Sequence, residues 1–181
     1  MNNRKKIIIV GTSHALQCGK EKHHTKEQIE DFKLFVRNLI EKENIKCIAE
    51  EMNDTGLSEY EVKNTIPFKI ADELSILHRY IDLKEEQLVD LCICRDQIDM
   101  YADIIINRSI FQELRDLLTD KLLHPIRERF WLARILNINK WPTLLICGAD
   151  HGDNMRDLIN SIGYGPVLSW HRKCPEEIRK N

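Results

Sequence analysis

Two runs in this chain, IIIVGTSH at 7–14 and LLICGADH at 144–151, each place an apolar stretch before Gly-x-x-His. A buried strand that ends in glycine carries the following histidine to the carboxyl edge of a sheet, where open α/β sheets bind ligands. His14 and His151 are therefore candidates for one shared site despite their distance in sequence. Two more predicted strands end in acids: IKCIAE at 45–50 runs into Glu50 and Glu51, and ILHRYID at 76–82 delivers Asp82. Glu50 directly follows Ile48 and Ala49. An unpaired buried carboxylate is costly, so Glu50 should have a metal, an Arg or a His as partner. Glu51 alternates to the other side of the strand and is the weaker candidate. His14, Glu50 and His151 form a ligand set suited to a divalent metal with an open position. The same set works without a metal, with His as general base and Glu as its orienting partner or as the acid.

A second concentration of chemistry lies in the run IRERFWL at 126–132. On a helix, Glu128, Leu132 and Ile135 share one face, which puts an acid on the apolar side. Arg127 stands one turn before Trp131, and a planar guanidinium suits binding an oxyanion or orienting carboxylates. A surface salt-bridge cluster is the competing reading of this run. His14, Glu50, His151, Arg127 and Glu128 are thus the catalytic candidates. Gly11, Ser13, Glu51, Asp82, Arg129, Gly148 and Asp150 are candidates for touching a ligand. For Asp150, capping the next helix is the simpler role. Ser13 lacks the Gly-x-Ser-x-Gly elbow of a serine nucleophile, and neither Gly-x-Gly-x-x-Gly nor a phosphate-loop motif occurs. His23 and His24 fall in a polar segment, 15–24, that reads as a mobile loop.

The elements that must position these residues alternate. Strands are expected at 5–10, 45–50, 76–82, 143–147 and 166–170. Helices are expected at 25–43, after Gly56, at 67–74, from Pro125 to 137 and at 153–162. Thr25 with Gln28 reads as a capping box, and Gly163 as a helix stop. Residues 85–140 contain no glycine and read as a helical insertion broken at Pro125. The pattern predicts one α/β domain over 1–181, with a mainly parallel central sheet and helices on both faces.

Composition narrows the function classes. A net charge of −2 and short basic clusters give no stripe for nucleic acid. No apolar run approaches the roughly 18 residues that span a bilayer, so no membrane partner and a cytoplasmic location are expected. Six cysteines, with Cys92 and Cys94 in a Cys-x-Cys lacking the usual zinc or redox spacing, fit a reducing compartment.

Gly11 to His14, Glu50 (or Glu51), Arg127-Glu128-Arg129 and Gly148 to His151 occur in the order and rough spacing of a known superfamily. Over about residues 7–170 the chain resembles the TraB/PrgY, Tiki, GumN-like, ChaN and erythromycin-esterase-like proteins. The resemblance implies a ChaN-like α/β fold whose paired histidines and glutamate form the site. For the Tiki branch it implies metal-dependent peptide cleavage, and for the esterase branch ester hydrolysis without an obligatory metal. The ChaN branch implies haem or iron binding. The reading is a small cytosolic hydrolase acting on an ester, peptide or phosphate-type bond of a small-molecule or peptide substrate, with or without a divalent metal. The alternative is a non-catalytic protein that binds haem, metal or a small anion.

Overall fold

The computed structural model describes residues 5–84, 86–87, 123–164 and 168–171. The chain runs β1 (Ile7–Thr12), α1 (His14–Gln17), α2 (Lys26–Glu43), β2 (Cys47–Glu50), α3 (Asp54–Glu59), α4 (Ile66–Glu73) and β3 (Leu77–Tyr80). It continues through α5 (His124–Ile138), β4 (Thr143–Gly148), a 3₁₀ turn (Ala149–His151), α6 (Gly152–Ser161) and β5 (Leu168–His171). All strand pairs are parallel, in the order β3-β2-β4-β1-β5. The expected parallel α/β arrangement is therefore present. The insertion expected at 85–140 lies largely outside the described residues, as do Cys92, Cys94 and Cys174.

The interior strands read as unbroken apolar runs because both faces of the sheet are covered. Ile8, Val10, Ile48, Leu144 and Ile146 pack against Phe32, Val36 and Leu39 of α2 and Ile70 and Ala71 of α4. Ile7, Ile9, Ala49, Leu145 and Cys147 point the other way, onto Trp131, Leu132 and Ile135 of α5 and Met155 and Ile159 of α6. This alternation decides which chemistry each strand end delivers to which face.

Local signals set the helix limits. Thr25 accepts from the Gln28 amide while the Gln28 side chain accepts from the Thr25 amide, completing the capping box. Gly163, at φ +74, follows the end of α6 as expected of a helix stop. Two expectations need correction. Gly56 lies inside α3 instead of before it, because Asn53 caps that helix by accepting from the Gly56 amide. The supposed mobile loop after His14 begins as α1, capped by Ser13, with Ala15, Leu16 and Gln17 buried. His24 is buried too, its Nε2 2.9 Å from Ser13 Oγ. Among the described residues, no helix is long and apolar enough to cross a membrane.

Replacing Thr25 with Ala removes half of the capping box and should lower unfolding free energy by about 1 kcal/mol in urea titrations. An unchanged midpoint would show that α2 is held by its buried face alone.

Candidate functional site

Register brings the two Gly-x-x-His turns together. Thr12 pairs with Gly148 across β1 and β4, so both strands end side by side and each sends its histidine over the same edge. On the other side of β4, Glu50 pairs with Ile146, and the Glu51 amide donates to the Ile146 carbonyl at 2.8 Å. Glu51 thus extends the strand by one residue and turns to the α5/α6 face, the face of Ala49 and Cys147.

There the Glu51 carboxylate, 1% exposed, becomes the centre of the cluster. Its Oε1 lies 3.6 Å from His14 Nε2 and 3.6 Å from His151 Nε2. Arg127 donates to the same oxygen at 2.6 Å. Oε2 accepts from the Gly148 amide at 2.6 Å. A Cβ on Gly148 would stand 3.4 Å from both Glu51 Oε2 and His151 Cδ2. A side chain there would rest in contact with both groups, and the Gly148 amide is what the site uses directly.

A second tier holds these groups in place. Arg127 forks onto Asp82, with Nε to Oδ1 at 3.0 Å and an Nη2 contact to Oδ2 at 2.8 Å. The Trp131 indole donates to Asp82 Oδ1 at 2.9 Å, and the Asn53 amide reaches Oδ2 at 3.4 Å. Burial acts to lower the Arg127 pKa, but the Asp82 and Glu51 carboxylates outweigh it and hold the guanidinium above its usual value. His151 Nδ1 lies 2.8 Å from Glu128 Oε1, which also accepts from Asn154 at 3.3 Å. A carboxylate accepts, so Nδ1 carries the proton and Nε2 is the nitrogen aimed at Glu51. The rings of Trp131 and His124 meet the His151 ring edge-on, with centroids 4.8 and 4.4 Å away.

The structure gathers His14, His151, Arg127, Glu128, Glu51, Asp82 and Gly148 at one edge. It does not bring Glu50 there. Glu50 points to the α2/α4 face, where Thr65 donates to its Oε2 at 2.7 Å and His78 Nε2 lies 2.8 Å from the same oxygen. The partner expected for Glu50 exists, but it is His78 with Thr65. The ranking of the two adjacent glutamates is therefore reversed, because the sheet's alternation sends consecutive residues to opposite faces. Arg129 is exposed and donates to the Pro125 carbonyl at 3.0 Å, apart from the cluster that Arg127 and Glu128 join. Asp150 is exposed, and neither the 3₁₀ turn nor α6 has a side-chain cap, so the capping role does not hold. Ser13 caps α1 and meets His24, and Gly11 stays inside β1 opposite Cys147.

Asn53, Asn154 and His124 are contributors that the sequence does not single out, while Trp131 packs in the core at 0% exposure and also donates to Asp82. Trp131 was legible, since it falls one turn after both Arg127 and Glu128. His78 sits inside β3 and meets Glu50 on the neighbouring strand, a pairing that no spacing within the chain signals. The asparagines carry no spacing signal, because they come from loop and helix starts placed by the fold.

The metal set of His14, Glu50 and His151 does not converge. Substituting Glu51 for Glu50 does not supply one. Both Glu51 oxygens are engaged, and the oxygen that faces the imidazoles already holds a permanent guanidinium. Among the described residues, no group of His, Cys, Asp and Glu is arranged to hold a metal ion. The residues fit a hydrogen-bonded acid–base cluster better than a cation site. Compared with family models, curated proteins and solved structures, the chain finds no match.

Arg127→Ala should cost about 3–5 kcal/mol, because it leaves the Glu51 and Asp82 carboxylates buried without their cation. Arg129→Ala should fall within about 0.5 kcal/mol of wild type. Equal effects in denaturant titrations would contradict the assignment of the two arginines.

Proposed function

We propose that this chain is a small hydrolase that cleaves an ester, peptide or phosphate-type bond by histidine–carboxylate acid–base chemistry. One observation carries the reading: two imidazole Nε2 atoms, from different strand ends, each lie 3.6 Å from one buried carboxylate oxygen. Such a separation exceeds a direct hydrogen bond, so neither Nε2 is tied to Glu51. The resemblance to the TraB/PrgY, Tiki, ChaN and erythromycin-esterase-like proteins supports the same reading, with Glu51 taking the role of the strand-end glutamate. That resemblance also supports reading the parallel α/β arrangement as a ChaN-like fold, and a cytoplasmic location remains part of the reading.

The roles follow from the donors and acceptors. Glu128 holds the proton on Nδ1 of His151 and stabilises the imidazolium, so Nε2 acts as general base toward water. The water gives its proton to His151 Nε2 while its oxygen bonds to the electrophilic centre. Arg127, clamped by Asp82, stabilises the negative charge that develops there. The bond to the leaving group then breaks, and His14, at 36% side-chain exposure, is reached by solvent and hands it a proton. His14 recovers a proton from solvent and His151 releases one, which closes the cycle. Glu51 keeps Arg127 in register through its hydrogen bond and sets a negative charge beside both imidazoles. No step requires a metal.

A panel of p-nitrophenyl acetate, a neutral peptide and p-nitrophenyl phosphate tests this with tag-free protein. His14→Ala and His151→Ala should each lower kcat/KM on the substrate that turns over by about 10²- to 10⁴-fold. Circular dichroism should remain that of the wild type. Full activity in His14→Ala would overturn the proposal. A haem absorbance band with no hydrolysis across the panel would replace it with the binding-protein reading.

A further inference from the structure

Among the described residues, the buried side-chain nitrogens and oxygens without a hydrogen-bond partner belong to three residues. They are Nδ1 of His14, both amide atoms of Gln17, and Oε1 of Glu50. Gln17 and Glu50 are 0% exposed. Native proteins rarely leave such groups unpaired, since the desolvation cost is not recovered.

Their placement is not scattered. His14 and Gln17 are the first and last residues of α1, three apart, and so share one side of that turn. Leu16 of the same turn packs in one apolar cluster with Ile48 and Ile66, on the face of the sheet to which Glu50 points. Burial and then the charge of Glu50 raise the thiol of Cys18, the residue after Gln17, to about 11. The carboxylate is therefore within electrostatic reach of the end of α1. Glu50 Oε2 is already held by Thr65 and His78.

We propose that Gln17, Oε1 of Glu50 and Nδ1 of His14 wall an internal hydration site, and that bound water there fixes the ring of His14. The hydrogen-bond inventory names the ligand. Glu50 Oε1 only accepts, the Gln17 amide both donates and accepts, and His14 Nδ1 does either. Water donates twice, accepts, and is small enough to sit among packed side chains. Gln17 and Glu50 are then positioning residues: they hold Nδ1 of His14 as Glu128 holds Nδ1 of His151, and so keep Nε2 toward Glu51. This rests on the placement of His14 in the proposed hydrolase site, but its readouts need no turnover.

In the wild-type protein, the side-chain amide protons of Gln17 should show NMR cross-relaxation with a long-lived water. Gln17→Leu should lower Tm by about 2–4 °C and shift the imidazole ¹⁵N signals of His14 while leaving those of His151 in place. A Gln17 with no partner of any kind would instead give an unchanged or higher Tm on this substitution. The proposal is overturned by absence of long-lived water in the wild type, by that stability result, or by unmoved His14 signals. Should Gln17→Leu fail to fold, the wild-type measurement decides alone. If hydrolysis is absent but these signals behave as expected, the catalytic reading falls and the hydration site stands. The reverse pattern removes only the hydration site.

Discussion

The pairing of Glu51 with Arg127 is the interaction on which the rest of this site depends. Three carboxylates, from Glu51, Asp82 and Glu128, are buried at one edge of the sheet. Acids so placed are tolerated only when paired and hydrogen-bonded. Arg127 serves two of them at once, and His151 with Asn154 serves the third. Asp82 and Trp131 fix the angle of the guanidinium, so Glu51 is held between two imidazoles without freedom to turn away. The geometry of the proposed chemistry is thus a consequence of satisfying buried charge.

Adjacent residues on β2 serve opposite faces. Glu50 meets His78 and Thr65 under α4, while Glu51 meets the histidines under α5. The pleat turns the two glutamates, neighbours in sequence, to different hydrogen-bond partners. Both clusters pair a carboxylate with histidine, but only the second has a histidine open to solvent. The first is enclosed, with the His78 side chain at 6% exposure, and this suits a role in holding structure more than in meeting a substrate.

Much of this was legible in the residues. The two Gly-x-x-His runs predicted strand ends at one edge, and register places them side by side. The helical face of Glu128, Leu132 and Ile135 predicted a buried acid, and that acid finds His151. The choice between Glu50 and Glu51 was not legible. Cost of burial applied to both, and the face each occupies depends on where β2 ends and which helix layer covers it. The segment after His14 misled because its polar composition conceals a capped turn with three buried residues. The role of His78 was not legible either, for a different reason: its partner comes from the neighbouring strand, where Ile48 and Glu50 pair with His78 and Tyr80.

We propose that Glu51, His14 and His151 form an acid–base cluster held by Arg127 and not a metal centre. Metal content of protein purified without a histidine tag tests it most directly, with wild type beside the His14→Ala/His151→Ala double variant. Far less than one metal ion per chain is expected in both. Near-stoichiometric metal in the wild type, lost in the double variant, would contradict it.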